Sequence, residues 1–202
     1  MNRTMLTASI GAAVAGLVIG QTAVASSPPP LAKDRVRLTS MVLRAADVPA
    51  GFMLVFSHGY TPAQIAAQGT WTASQLKNWK YEAGYEVQFD RGADGSDPAQ
   101  ISSDAGAYRT AAGARRALSA NGTACQQGLW RELSLDEPVG TAAHLCTLTT
   151  TLRGYQVQVF FVVWTVGRFK GAIALTGLHG QVSAGDAVAL ARIQATRMGG
   201  GP

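Results

Sequence analysis

The residues closest to a catalytic pattern in this sequence are Ser74 and Lys77, which fit the spacing S-x-x-K. A lysine one helical turn from a serine can help to activate the serine hydroxyl as a nucleophile. Penicillin-recognising enzymes that use this pair also carry S-D-N and K-T-G motifs, and the sequence contains neither. A serine hydrolase using Ser74 and Lys77 is therefore the least favoured of the functions considered.

Three aspartates, Asp90, Asp94 and Asp97, lie in one Gly-rich stretch where carboxylates could hold Ca²⁺. The spacing and the closing Glu of an EF-hand loop are missing, which favours a solvated turn. The three histidines are far apart in the sequence, and no G-x-S-x-G, H-E-x-x-H or P-loop motif occurs. We therefore predict a protein that is not an enzyme, with no cofactor and no metal site.

Aromatic residues are the stronger candidates for a binding site. Trp71 and Trp79 share roughly one side of the helical region predicted over residues 61–81. Core packing or a lid is the simpler interpretation, and a patch on which a ligand stacks is the alternative. A groove between this helical region and a sheet would have Tyr81 and Trp130 nearby, so these four aromatic residues form the candidate ligand site.

The two cysteines, Cys125 and Cys146, point to an oxidising compartment. An even number of cysteines in an exported chain favours a disulfide, which would stabilise the fold by about 3 kcal/mol through loop closure. Two separate buried thiols are the alternative. A metal site built from two lone cysteines lacks a further His or Cys ligand at suitable spacing.

Residues 1–25 have the pattern of a secretory signal peptide. Arg3 supplies a positive start, residues 5–19 are apolar, and residues 23–25 give the small-x-small cleavage pattern. The apolar run is shorter than the roughly 20 residues of a membrane span. An uncleaved N-terminal anchor is the alternative, and it would be the chain's one contact with a membrane. We expect a secreted or cell-surface protein.

The rest of the chain is expected to contain one globular domain. A disordered Pro-rich lead-in is predicted over residues 26–36, the domain over residues 37–198, and a flexible tail over residues 199–202. After removal of the signal, roughly 175 residues remain, enough to bury a sizeable core.

The charge of the chain is positive but diffuse. The formal net charge is +5, and charged residues make up 14% of the sequence, against about 25% in typical proteins. No run of Lys or Arg extends beyond Arg115 and Arg116, so a nucleic-acid partner is not expected. An unknown small molecule or an envelope protein remains as the partner.

Hydrophobic periodicity predicts an α+β domain with an antiparallel sheet of about five or six strands and helices packed against it. Strands are predicted over residues 52–56, 85–89, 99–108, 144–152, 155–165 and 169–176, and helices over 61–68, 72–81, 111–120 and 183–198. Gly84 is expected to end the second helix, and Asn121 with Gly122 the third.

Loose motifs of apolar and turn residues carry a resemblance to known proteins. They are the segments 46–52, 108–114, 139–142, 154–159, 166–175 and 186–191. In these segments the chain resembles exported sensor-like, ligand-binding domains of actinobacteria and their relatives, which include lipoproteins and the extracellular domains of receptor serine/threonine kinases. The resemblance implies a non-catalytic extracellular domain with a groove for a ligand. An envelope-associated structural or protein-interaction module is the alternative function.

Overall fold

The computed structural model describes residues 33–92, 99–152 and 154–199. Its helices are α1 (Lys33–Met41), α2 (Pro62–Ala67), α3 (Ala73–Trp79), α4 (Ala111–Cys125) and α5 (Ala184–Arg197), with a 3-10 turn at Ala45–Asp47. Its strands are β1 (Phe52–Tyr60), β2 (Tyr81–Arg91), β3 (Gln100–Tyr108), β4 (Arg131–Leu133), β5 (Ala142–Leu152), β6 (Tyr155–Val166) and β7 (Phe169–Leu178).

Within the described residues, seven strands form one sheet in the order β1-β2-β3-β7-β6-β5-β4, and every neighbouring pair is antiparallel. The predicted α+β class with an antiparallel sheet is confirmed, and the strand count is higher than the five or six expected. The additional strand is β4, which is three residues long and pairs with β5. A strand this short has too few alternating positions to produce a recognisable period.

One face of the sheet is covered by α1 and α5 and forms the main apolar core. Trp164 on β6 and Ile173 on β7 are completely buried against this pair of helices. Ala187 and Ala191 of α5 are also buried, and their small side chains let the helix approach the strands closely. At Gly171, a Cβ would collide with the Trp164 ring, so the indole packs directly on the neighbouring backbone.

A buried polar network fixes α5 on this face. The Ser103 hydroxyl donates a hydrogen bond to the Gln194 side-chain oxygen at 2.8 Å and accepts one from the Leu43 amide at 3.0 Å. The Gln194 side-chain amide donates to the Asp104 carbonyl at 2.7 Å. Because both buried side chains are hydrogen-bonded, the network sets the position of α5 without leaving their polar groups unsatisfied.

The other face is covered by α2, α3 and α4. Leu76, Trp79, Tyr108, Ala114 and Ala117 form a second, smaller apolar cluster here. The predicted helix starts are confirmed, because Thr61 and Thr72 cap α2 and α3 by accepting a hydrogen bond from the third helical amide. These helices cover only part of the sheet face, and a cavity remains between them and the strands.

Two predicted helix ends are wrong. Helix α3 ends at Lys80, which adopts a left-handed conformation with φ of 56°. Gly84 lies inside β2, at a position where a Cβ would collide with the Tyr81 hydroxyl. Helix α4 continues through Asn121 and Gly122 to Cys125. Tertiary contacts override the local preference, since Lys170 donates to Asn121 and the His144 ring packs directly on Gly122.

The N-terminal predictions fall mainly outside the described residues. Helix α1 begins at Lys33, so it overlaps the end of the lead-in expected over residues 26–36, whereas the signal-peptide segment is not described. The described helices include none that is both long and apolar enough to span a membrane. Of the three aspartates considered as Ca²⁺ ligands, Asp90 lies in β2, whereas Asp94 and Asp97 are outside the described residues.

Candidate functional site: an amphipathic cavity

The strands β2, β3 and β7 build the floor of the cavity from two rows of residues in register. Glu86, Asp104 and Ala172 form one row, and Gln88, Ser102 and Ala174 form the next. Side chains of directly opposed residues in antiparallel strands lie on the same face of a sheet. The strand pairing therefore places two carboxyl groups, an amide and a hydroxyl together on β2 and β3, beside two small alanines on β7.

The rows continue into an apolar half. Phe161 on β6 is in register with Ala174, and the Trp130 ring packs edge-on against it with ring centroids 6.2 Å apart. All three residues line the cavity. The floor is therefore polar towards β2 and apolar towards β6.

The helices form the opposite wall of the cavity, which has a volume of about 400 Å³. Ile65 of α2 and Leu76 of α3 line it from above, and the last turns of α4 contribute Asn121 and Cys125. Cys125 is joined to Cys146 of β5, with Cα atoms 5.6 Å apart. The pairing expected from the sequence thus ties the C-terminal end of α4 to the sheet at the cavity wall.

The charged side chains of the site contact one another and two polar neighbours. Lys170 Nζ lies 3.9 Å from Asp104 Oδ1 and donates to Asn121 Oδ1 at 3.2 Å. The Tyr60 hydroxyl donates to Glu86 Oε2 at 3.1 Å. The Asp104 side chain keeps 35% of its surface accessible, and because the residue lines the cavity, a ligand could reach this carboxylate.

Burial is the main influence on the protonation of these groups. Burial, together with the nearby Asp104 charge, raises the pKa of the Glu86 carboxyl to about 7, and the Tyr60 hydrogen bond opposes the shift. Burial also raises the pKa of Asp104 and lowers the pKa of Lys170, and each of this pair opposes the shift of the other. Glu86 is therefore poised to change charge near neutral pH.

The four aromatic candidates are not all placed alike. Trp71, Tyr81 and Trp130 line the cavity, whereas Trp79 is 8% exposed and belongs to the second apolar cluster. Trp79 supports Trp71 edge-on, with ring centroids 4.9 Å apart. The structure thus brings three of the four candidates to one cavity and places the fourth behind it.

The serine and lysine of the S-x-x-K pattern lie outside the cavity. Ser74 and Lys77 are exposed on α3, and neither lines the cavity. In the part of the chain that the structure describes, no group of three His, Cys, Asp or Glu side chains is placed to hold a metal ion.

The sequence analysis missed Glu86, Asp104 and Lys170 as site residues. In the predicted strand over residues 85–89, Glu86 and Gln88 alternate with the apolar Val87 and Phe89, a pattern that normally indicates a solvent-facing side. The number of predicted helices could have indicated that these residues are covered, because four helices are enough to pack on both faces of a sheet, including its polar face.

The fold is of the α+β class, with an antiparallel sheet that has helices on both faces. The chain was compared with known families, curated sequences and solved structures. No family model and no curated protein sequence matches this chain. The chain is similar in structure to the extracellular domain of PknH from Mycobacterium tuberculosis, with a TM-score of 0.59 and 11% sequence identity. The match covers 84% of this chain and 98% of that domain. At this identity the likeness shows a shared fold.

Proposed function

We propose that this protein is an exported, non-catalytic, sensor-like domain that binds a small molecule in the cavity. The observation that carries the proposal is the cavity itself, about 400 Å³ in volume, with polar and apolar halves on one floor. Small-molecule sites are typically concave, mostly apolar and equipped with a few polar groups that orient the ligand.

Export is supported by three independent features. The first 25 residues have the signal-peptide pattern, the structure pairs Cys125 with Cys146, and the fold is shared with an extracellular domain. Disulfides persist in oxidising compartments outside the cytosol.

Native mass spectrometry of the protein purified from its secreting host tests the proposal. We expect a chain starting near Ser26 that is two hydrogens lighter than the reduced form and carries a small-molecule adduct. Ser102→Trp would place an indole on the cavity floor and should abolish the adduct. Thr151→Trp, at an exposed position of β5, is the matched control and should retain it. An adduct that persists on Ser102→Trp, or its absence from the wild type, would contradict binding in the cavity.

A second candidate function is strand addition by an envelope protein at the sheet edge. Met53, Leu54, Val55 and Phe56 of β1 are 48%, 54%, 49% and 40% exposed, and β1 is the first strand in the sheet order. Exposed apolar edge strands are templates for pairing with another chain.

Photo-crosslinking in secreting cells tests this second candidate. A photoreactive residue at position 55 should give one discrete heterologous product, which Leu54→Lys should eliminate, and the same residue at position 151 should give none. A product of twice the chain mass would instead assign the edge to a second copy, and the absence of any product would refute the candidate.

A further inference from the structure

The charges that line the cavity do not balance. Among the described lining residues, the charged ones are Glu86, Asp104 and Lys170. Lys170 lies beside Asp104 and is also held by Asn121. The one hydrogen bond or ion pair that Glu86 makes with a described residue is with the Tyr60 hydroxyl. One carboxyl group therefore has no cationic partner in the described part of the chain.

A histidine on the neighbouring strand makes contacts with other residues. His58 of β1 is opposite Glu86 in the strand register. Its ring packs edge-on against Tyr60, with centroids 4.9 Å apart, and its Nε2 lies 3.5 Å from Gln64 Nε2. No ion pair joins His58 to Glu86 in the described structure, which leaves the carboxylate available to a ligand.

A partly buried carboxylate without a cation is costly, and either a proton or a cationic partner relieves this cost. A metal ion is a poor fit, because the described residues provide no cluster of three ligating side chains here. An organic ammonium group fits better, since it needs a carboxylate and one or two further acceptors. Gln88 and Ser102 lie beside Glu86 and Asp104 on the same floor and offer such acceptors.

The other half of the floor specifies the rest of the ligand. Ala172 and Ala174 leave open space on β7, and Phe161 and Trp130 border it. Aromatic side chains bind flat apolar groups by stacking or edge contacts, and their faces also favour a nearby cation. The polar and apolar halves adjoin, so a single small molecule can span both.

We propose that the ligand is a small organic amine or ammonium compound with a flat apolar group. Its cationic head pairs with Glu86 at the β2–β3 end of the cavity, and its apolar group lies against Phe161 and Trp130. This inference rests on the proposed function, because it assigns the ligand class of the same cavity.

Three probes that share one apolar group and differ in charge test the assignment. Phenethylamine is a cation, phenethyl alcohol is neutral, and hydrocinnamate is an anion near neutral pH. Calorimetric titration of the full mature chain should give an affinity for the amine at least about tenfold above that for the alcohol, and hydrocinnamate should bind weakest.

Variants locate the source of this discrimination. Glu86→Gln keeps the size of the side chain and should reduce the preference for the amine to about twofold or less. Glu137→Gln removes an exposed carboxylate that pairs with Arg192 outside the cavity, and it should preserve the preference. Retained binding of phenethyl alcohol by Glu86→Gln would show that the variant is folded.

The outcomes separate the two proposals. Equal affinities, a preference for hydrocinnamate, or an amine preference that survives Glu86→Gln would overturn the cationic ligand while leaving the cavity as a binding site. Failure of all three probes would also overturn the ligand class. The native adduct and its loss in Ser102→Trp independently decide whether the cavity binds anything.

Discussion

The two faces of the sheet are built from the same strands and packed in opposite ways. Adjacent residues illustrate this: Ile173 is fully buried under α1 and α5, whereas Ala172 and Ala174 line the cavity under α2–α4. On the first face, the buried polar side chains Ser103 and Gln194 hydrogen-bond each other. On the second, Glu86 retains capacity for a further partner. The first face is therefore a filled core, whereas the second leaves a cavity lined by a carboxyl group that can accept a further partner.

The largest expected effect comes from truncating neighbouring large side chains on the two faces. Ile173→Ala should lower the free energy of unfolding by about 4 kcal/mol, because it leaves a void in a filled core. Phe161→Ala should cost about 1–2 kcal/mol despite removing a larger group, because the Phe161 ring borders an existing cavity. Chemical denaturation of both variants checks this. A greater loss for Phe161→Ala would contradict the distinction between the faces.

The disulfide should stabilise the cavity face in particular. Reducing the Cys125–Cys146 pair should lower the free energy of unfolding by about 3 kcal/mol on the chain-entropy model. Hydrogen exchange should increase first in α4, because this bond ties its end to β5, and α5 should keep its protection. A Cys125→Ser/Cys146→Ser double variant serves as the control and should be insensitive to reductant. Equal deprotection of α4 and α5 would argue against a local role.

The carboxyl of Glu86 should make stability depend on pH. Its folded-state pKa is about 7 against an ordinary value of 4.5, so the folded state holds its proton more tightly than the unfolded state. The associated stability is fully present below pH 4.5 and is lost as the pH rises through about 7. Denaturation from pH 4 to 8 should show this loss, about 3 kcal/mol, in wild type and not in Glu86→Gln.

The matched control for the pH experiment is Glu137→Gln, whose exposed carboxyl lies outside the cavity. Its stability profile should follow that of the wild type. If Glu86→Gln also runs parallel to the wild type over this range, the cavity carboxyl is not the group that titrates.

The smallest effects should come from helix caps. Ser183 caps α5 on the core face by accepting a hydrogen bond from the Asp186 amide, and Ser183→Ala should cost about 1 kcal/mol of global stability. Thr72 caps α3 on the cavity face, and Thr72→Ala should mainly increase local hydrogen exchange in α3. Similar global losses in both variants would contradict the idea that α3 is coupled less tightly to the fold.

The core face was the more predictable of the two from the sequence. The nearly continuous apolar run in residues 155–165 predicts a buried strand, a helix is predicted over residues 183–198, and the structure confirms both elements.

The cavity face was less predictable because it depends on long-range contacts. The Asn121–Gly122 pair favours a helix end locally, but its contacts with Lys170 and His144 keep it helical. Likewise, Glu86 and Asp104 are 18 residues apart and become neighbours only through the β2–β3 register. Three of the aromatic residues chosen from the sequence line this cavity, whereas its charged floor could be recognised only from the pairing of the strands.

Methyl NMR of the protein titrated with phenethylamine tests most directly whether the cavity face is the binding face. Ala172 and Ala174 place their methyl groups in the cavity, and the intervening Ile173 places its methyl groups in the core. We predict progressive shifts of the two alanine signals, with the Ile173 signals nearly unchanged. Shifts centred on Ile173, or no shift of either alanine at saturating probe, would contradict this assignment.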